Sequence, residues 1–234
     1  MKKQEFFKAL GTNLIIVCML VSLGVVSFSG GIVGVFAPVS ENVYYKGDTS
    51  KSKVSLMINV YWGNEYLPSI LNTLKECKVK TTFFVGGMWV NKYPEDFLSI
   101  VGGGHEIGNH GYFHKDCDKL SPEQIKSEIT NTHKLVKEYT GIDMHLFAPP
   151  SGAYNSKTVD VATSLDYKVI MWTKDTIDWR DQDEEVLFNR ATKNLSNGDL
   201  ILMHPTLATS KILPKVIKYC LENGFSIVPV GQCL

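Results

Sequence analysis

From Lys53 to the C-terminus, short apolar segments typical of strands alternate with longer segments in which apolar residues recur at helical spacing. The strand-like segments are rich in β-branched and aromatic residues and include 54–62, 81–87, 168–173 and 199–204. Such alternation is typical of a parallel sheet with crossover helices. About seven such units, without a dinucleotide-binding glycine motif after the first strand, predict an α/β fold of the (β/α) barrel type.

The segment 120–141 carries the clearest helix signals in the chain. Ser121 is the expected N-cap, Pro122 occupies the first helical position, and Gln124 completes a capping box. Gly141 is expected to end the helix, because glycine readily adopts the left-handed conformation of a C-terminal cap.

The N-terminal part of the chain predicts a membrane segment. Residues 14–37 contain no charge and exceed the roughly 20 residues that a membrane-spanning helix needs. Lysines precede this run, which predicts a cytoplasmic segment 1–13, a stalk 38–52 and an extracytoplasmic domain 53–234. A single-pass anchor in the cell membrane is the favoured interpretation. Secretion after cleavage of a signal peptide is the alternative.

Charge and cysteine content exclude two classes of protein. Lys and Arg total 24 and Asp and Glu total 24, so no basic excess favours binding to nucleic acid. Beyond Cys18, the cysteines show neither a CxxC pair nor close spacing, which argues against a zinc cluster or a disulfide scaffold. We expect buried free thiols rather than a bridge between Cys220 and Cys233.

Polar residues that could carry chemistry follow the predicted strands, where barrel enzymes place their active sites. His110 and His114 are four residues apart, a spacing that can aim two imidazoles at one divalent metal ion. Asp175, Asp178 and Trp179 follow another strand. A further apolar strand ends at His204, a position suited to acid–base work.

The motifs GHEIGNHGYFH, APPSG, WTKDTIDW and ILMH occur in this order along the chain. Together they resemble the polysaccharide deacetylase family, the NodB-homology domain of carbohydrate esterase family 4. The resemblance runs from about residue 53 to the C-terminus and is strongest for the membrane-anchored, sporulation-associated branch. It implies a deformed (β/α) barrel and a hydrolase that deacetylates N-acetylglucosamine in peptidoglycan or a chitin-like polymer.

The resemblance also implies roles for individual residues. A divalent metal, usually zinc, would be bound by His110 and His114 together with one Asp. His204 would protonate the departing amine, and Asp175 or Asp178 would tune its acidity. The substrate groove would be lined by Trp179, Tyr154, Pro149 and Pro150.

The first family motif is altered in this chain. The family reads TFDDG, in which the first Asp is the general base and the second binds the metal. Here Asn59 stands at the base position and Val60 at the metal-ligand position, while Ala148 replaces the Arg that holds the base. An amide cannot accept a proton near neutral pH, and loss of a general base costs about 10²–10⁴-fold in rate.

Two hypotheses about function follow. The first is a deacetylase of N-acetylated cell-wall glycan with impaired activity, in which Glu65 would be a substitute carboxylate. The alternative is a catalytically inactive family member that binds glycan or a partner in cell-wall or spore assembly. The altered motif favours impaired or absent catalysis.

Overall fold

The computed structural model describes residues 42–234. Within this range the strands are β1 (Val43–Tyr44), β2 (Lys53–Val60), β3 (Thr82–Val85), β4 (Glu106–Asn109), β5 (Leu146–Phe147), β6 (Lys168–Ile170), β7 (Lys174–Asp175), β8 (Leu200–Met203) and β9 (Ser226–Ile227). The helices are α1 (Leu67–Glu76), α2 (Gly87–Lys92), α3 (Pro94–Gly102), α4 (Pro122–Thr140), α5 (Ser156–Ser164), α6 (Glu184–Thr192), α7 (Leu207–Glu222) and α8 (Val230–Cys233). Short 3-10 turns lie at Cys117–Lys119 and Pro150–Gly152.

The strands pair in parallel in the order β1-β6-β5-β4-β3-β2-β8-β7, and β9 also pairs with β2. This parallel sheet with crossover helices is consistent with the predicted deformed (β/α) barrel. β2 lies at its centre, with Ile58 opposite Phe83 on one side and Met203 on the other. Because all these strands run the same way, their C-terminal ends meet at one end of the sheet.

Two apolar layers cover the two faces of the sheet. On β2, Leu56, Ile58 and Val60 belong to the cluster that packs against the helices. Met57 belongs to a smaller cluster with Phe84, on the other face of the strand. Successive side chains in a strand point to opposite faces, so this alternation buries nearly the whole strand.

The helix predicted at 120–141 is confirmed as α4. The Ser121 hydroxyl accepts a hydrogen bond from the Gln124 N–H, and the Gln124 side chain accepts one from the Ser121 N–H. Gly141 ends the helix in the left-handed conformation with φ of 73°. An N-cap such as Ser121 contributes about 1 kcal/mol to stability.

Tyr93 separates α2 from α3, because the residue before Pro94 is disfavoured in helical conformation. The predicted stalk extends into the folded unit, which begins at Asn42. Within it, Val43 pairs with Val169 of β6.

The predicted membrane segment 14–37 lies outside the described residues. Within residues 42–234, no helix combines the length and apolar character needed to cross a membrane. The four cysteines in this range, Cys77, Cys117, Cys220 and Cys233, are free thiols.

Candidate active-site pocket

A pocket of about 370 Å³ opens at the C-terminal ends of β2, β4, β7 and β8. Six of the predicted site residues line it: Asn59, His110, His114, Asp175, Trp179 and His204. These residues come from segments up to 145 positions apart (204 − 59), and the parallel sheet brings them together at one end. The remaining wall includes Tyr61, Ser151, Gly152, Trp172 and Leu202.

His110 and His114 converge as their spacing predicted, with ring centroids 4.9 Å apart. His110 is almost completely buried, and its Nδ1 lies 2.7 Å from the carbonyl oxygen of Ala148. Since a carbonyl only accepts, Nδ1 carries the proton, and Nε2 of the neutral ring is an acceptor. Burial lowers the pKa of His110 well below its usual range and lowers that of His114 to about 4.

Asp178 and His204 form a buried hydrogen-bonded pair on the opposite side of the pocket. The His204 Nδ1 donates to Asp178 Oδ1 at 2.7 Å, and the His204 backbone N–H donates to Oδ2 at 2.7 Å. The hydroxyls of Thr206 and Thr209 also donate to Oδ2. Burial opposes ionisation of Asp178, but these donors outweigh it and lower the pKa of its carboxyl group. The carboxylate therefore orients His204 with Nε2 free for a ligand.

Asp175 lines the pocket, but it does not contact His204 as Asp178 does. Its Oδ1 accepts a hydrogen bond from the Ile177 N–H at 2.8 Å. Burial is the largest cause of a raised pKa for this carboxyl group. Of the two acids that could tune His204, the hydrogen bonds select Asp178. Trp179, whose side chain is 56% exposed, forms part of the pocket rim.

Asn59 lies on β2 with 2% of its surface exposed, and its buried Oδ1 accepts no hydrogen bond from any residue of the described range 42–234. A buried acceptor left without a donor costs about 1–3 kcal/mol, so the set of polar groups around Asn59 is incomplete. The buried Ala148, with its methyl side chain, offers no donor where the family has Arg. Val60 is fully buried in the helix-facing cluster and is not part of the pocket wall.

The remaining predicted residues lie outside the pocket wall. Glu65 is exposed, and hydrogen bonds from its own backbone N–H and from the Asn64 N–H to its carboxyl group lower the pKa of that group. Tyr154 shares a hydrogen bond of 2.8 Å with the hydroxyl of Tyr45. Pro149 and Pro150 are buried and shape the turn that leads to Ser151 and Gly152 of the pocket.

A metal ion held by one Asp and two His would need a third ligand beside His110 and His114. Within residues 42–234, no three His, Cys, Asp or Glu side chains converge to hold one. The amide of Asn59 and the alkyl side chain of Val60 supply no carboxylate. The residues present therefore do not fit the metal centre that the resemblance implies, and we assign no chemical step to a metal.

Two aromatic residues beside the histidines were not predicted, and one of them, Tyr61, lines the pocket. Tyr61 stacks on the His114 ring with centroids 3.3 Å apart and an interplanar angle of 14°. The next residue, Trp62, lies 5.1 Å from the His204 ring. The sequence signal that could have identified them is their position directly after β2, because the other site residues also follow the ends of strands.

A family model described as polysaccharide deacetylase matches residues 46–170. The chain belongs to the polysaccharide deacetylase family. It is 38% identical over 190 residues to the protein YlxY of Bacillus subtilis, covering 81% of this chain and 60% of that protein. It is 30% identical over 172 residues to a peptidoglycan-N-acetylglucosamine deacetylase of Bacillus cereus, covering 73% of this chain and 62% of that protein. The chain thus spans about three fifths of each of these relatives.

Solved structures show the same relationship to the polysaccharide deacetylases. A carbohydrate esterase family 4 pseudoenzyme from Bacillus anthracis is 37% identical, with a TM-score of 0.80 over 82% of this chain and 68% of that one. A mutant of that pseudoenzyme, described as having restored enzymatic activity, is 36% identical with a TM-score of 0.80, covering 82% of this chain and 70% of that one.

Proposed function

We propose that this chain is a glycan-binding member of the polysaccharide deacetylase family that lacks deacetylase activity. The observation that carries the proposal is the state of Asn59: an amide occupies the base position, and no donor in residues 42–234 reaches its oxygen. Neither the Asn59 amide nor the Val60 side chain can act as a general base or supply a carboxylate to a metal, and no three His, Cys, Asp or Glu side chains of the described chain converge to hold one. The proposed ligand is an N-acetylated cell-wall glycan such as peptidoglycan.

The other half of the pocket supports ligand binding. Asp178 holds His204 in one orientation, and Trp172 and Trp179 supply aromatic surface for a sugar ring. Such a cavity, mostly apolar with a few oriented polar groups, is typical of small-molecule sites. The similarity to a pseudoenzyme and to a peptidoglycan-N-acetylglucosamine deacetylase supports both parts of the proposal. An extracytoplasmic location is also proposed, on the basis of the uncharged segment 14–37.

One observation favours residual activity as a second candidate function. Asp175 lies in the pocket, and burial raises the pKa of its carboxyl group. A carboxylate with a raised pKa is a better general base than an ordinary one. In that case Asp175 would accept the proton of the attacking water, and His204 would protonate the leaving amine.

Two assays on the full chain distinguish the candidates. We expect no acetate release from N-acetylglucosamine oligomers or from peptidoglycan, with or without added Zn²⁺ or Co²⁺. We expect calorimetry to detect binding of an N-acetylglucosamine tetramer, weakened by Trp179→Ala and unaffected by Tyr139→Ala, an exposed aromatic residue on α4 outside the pocket. Acetate release that disappears in Asp175→Asn and His204→Ala would instead establish the residual-activity candidate.

Restoration of the family residues is a further test. Asn59→Asp with Ala148→Arg would restore the family's general base and the Arg that holds it. Adding Val60→Asp would restore the family's metal-binding Asp at position 60. We expect the triple variant to release acetate only if the end of β2 shifts, since the Val60 side chain packs in the helix-facing cluster. Acetate release by the triple variant but not by the native chain would support a binding role for an intact scaffold.

A further inference from the structure

We propose that Glu128 is a positioning residue that fixes the loop carrying His110 and His114, and thereby sets the geometry of the pocket. The inference rests on the proposed function only in that this pocket is where the ligand binds. Glu128 lies on α4, outside the pocket wall, and no family motif of the chain includes it.

The Glu128 carboxylate reaches the loop directly. Its side chain is 4% exposed, and its Oε2 accepts the backbone N–H of Tyr112 at 2.8 Å and that of Phe113 at 2.7 Å. Both donors lie between His110 and His114. Hydrogen bonds to a carboxylate are shorter and stronger than those between neutral groups.

The rest of the loop is held in a matching way. The N–H of Gly111 donates to the Asn109 side-chain oxygen at 2.9 Å. The carbonyls of Gly111 and Tyr112 accept from the N–H groups of Gly87 and Met88, at the start of α2. Three consecutive loop N–H groups are therefore satisfied by side chains rather than by a strand or helix, and Glu128 accepts two of them.

The loop needs such anchoring because its backbone is not regular. Gly111 has φ of 72° and His114 has φ of 56°, both in the left-handed region. A non-glycine residue there persists only where its surroundings hold it. The His114 ring then stacks on Tyr61, which joins the loop to the end of β2. A displacement of the loop would therefore change the stack and the pocket wall together.

The test uses three variants of the full chain. Glu128→Ala removes the acceptor, whereas Glu128→Gln keeps one side-chain oxygen that can accept both N–H groups. Val136→Ala is the matched control, because it creates a small cavity on the same helix, away from the loop. Proton NMR reads the ring-current shifts of Tyr61 and His114, and calorimetry reads affinity for an N-acetylglucosamine tetramer.

We expect Glu128→Ala to lose the ring-current shifts and to weaken glycan binding about tenfold or more, the loss that about 1.4 kcal/mol produces. Glu128→Gln should keep the shifts and bind within about threefold of the native chain, a difference of under 1 kcal/mol. Val136→Ala should lower the melting temperature and leave both readouts unchanged. If Glu128→Ala does not fold, Glu128→Asp replaces it, since a side chain one methylene shorter withdraws the oxygen from the loop.

Native shifts in Glu128→Ala, or in Glu128→Asp where that variant is used, would overturn the inference. Equal losses in Val136→Ala would also overturn it, because the effect would then follow stability alone. Failure of the native chain to bind the tetramer would refute the proposed ligand, while the NMR comparison would still decide the role of Glu128.

Discussion

The two sides of the pocket differ in how completely their polar groups are bonded. On the β8 side, Asp178 accepts hydrogen bonds from the ring and backbone of His204 and from the hydroxyls of Thr206 and Thr209. On the β2 side, Asn59 retains an oxygen with no donor. A buried carboxylate is thus stabilised where several donors surround it, whereas the β2 side carries a neutral amide without such donors.

This difference has a physical basis. Removing one partner from a buried ion pair costs about 3–5 kcal/mol, because the remaining charge stays desolvated. An amide without its partner costs less, about 1–3 kcal/mol. With Ala at position 148, a carboxylate at position 59 would lack the Arg that the family provides, so the neutral Asn59 is the less costly residue.

The largest effect is expected for Asp178→Ala. This change removes the shared acceptor of four hydrogen bonds from His204, Thr206 and Thr209, and we expect a loss of about 3–5 kcal/mol in the free energy of unfolding, at roughly 1 kcal/mol for each bond. Urea unfolding at pH 7 measures it. A loss below about 1 kcal/mol, typical of a surface pair, would show that the β8 side is not the well-supported half of the pocket.

A smaller effect is expected for Asn59→Asp, which introduces a buried carboxylate without a partner. We expect a loss of about 2–3 kcal/mol, partly recovered when Ala148→Arg is added. A double-mutant cycle in urea measures the coupling between positions 59 and 148. Strictly additive losses would mean that the missing Arg does not explain the isolated amide.

A third prediction compares His204 with His105, another buried histidine but one that has no carboxylate partner. Burial, with Lys80 nearby, lowers the pKa of His105 from 6.5 to about 4, and its Nδ1 accepts the Thr81 N–H. As the pH falls, His105 therefore takes up its proton at a higher pH in the unfolded chain than in the folded chain. Stability should therefore drop between pH 6.5 and 4, by up to about 1.4 kcal/mol per pH unit from this group.

The measurement for His105 is the melting temperature from pH 7.5 to 4.5 for the native chain and for His105→Gln. The variant should show a shallower decline across the acidic part of this range, because it no longer takes up that proton. Parallel curves would contradict the lowered pKa of His105.

The smallest effect is expected for Thr209→Val, which removes one donor of the Asp178 set. The other donors remain, so we expect a loss of about 1 kcal/mol in urea unfolding, typical of one hydrogen bond. Thr206→Val is not an equivalent probe, because the Thr206 hydroxyl also caps α7 by accepting the Thr209 N–H at 3.1 Å. A loss as large as that of Asp178→Ala would mean that the donors act as one unit rather than as separate contributions.

Much of the fold follows from local patterns in the chain. Alternating strand-like and helix-like segments predicted the parallel sheet with its helices, and the signals at Ser121 and Gly141 predicted the ends of α4. The site residues that follow strands, such as His110 and His204, could be named because parallel strands present their C-terminal ends together. These inferences succeed because periodicity and capping are properties of neighbouring residues.

Other features depend on distant parts of the chain. The choice of Asp178 over Asp175 as the partner of His204 depends on the geometry at the ends of β7 and β8. Glu65 has the chemistry of a substitute carboxylate, yet it lies outside the pocket wall. The stacking of Tyr61 on His114 joins two loops that are 53 residues apart (114 − 61), and no local pattern encodes that contact.

The amino-acid sequence is enough to identify the family, to predict strands alternating with helices and to show that positions 59 and 60 carry no carboxylate. Only the folded chain shows that Val60 faces the helices, that no donor in residues 42–234 reaches the Asn59 oxygen and that Glu128 holds the histidine loop. Residue identity and local periodicity belong to neighbouring positions of the chain, whereas burial and hydrogen-bond partners arise only when remote segments pack together.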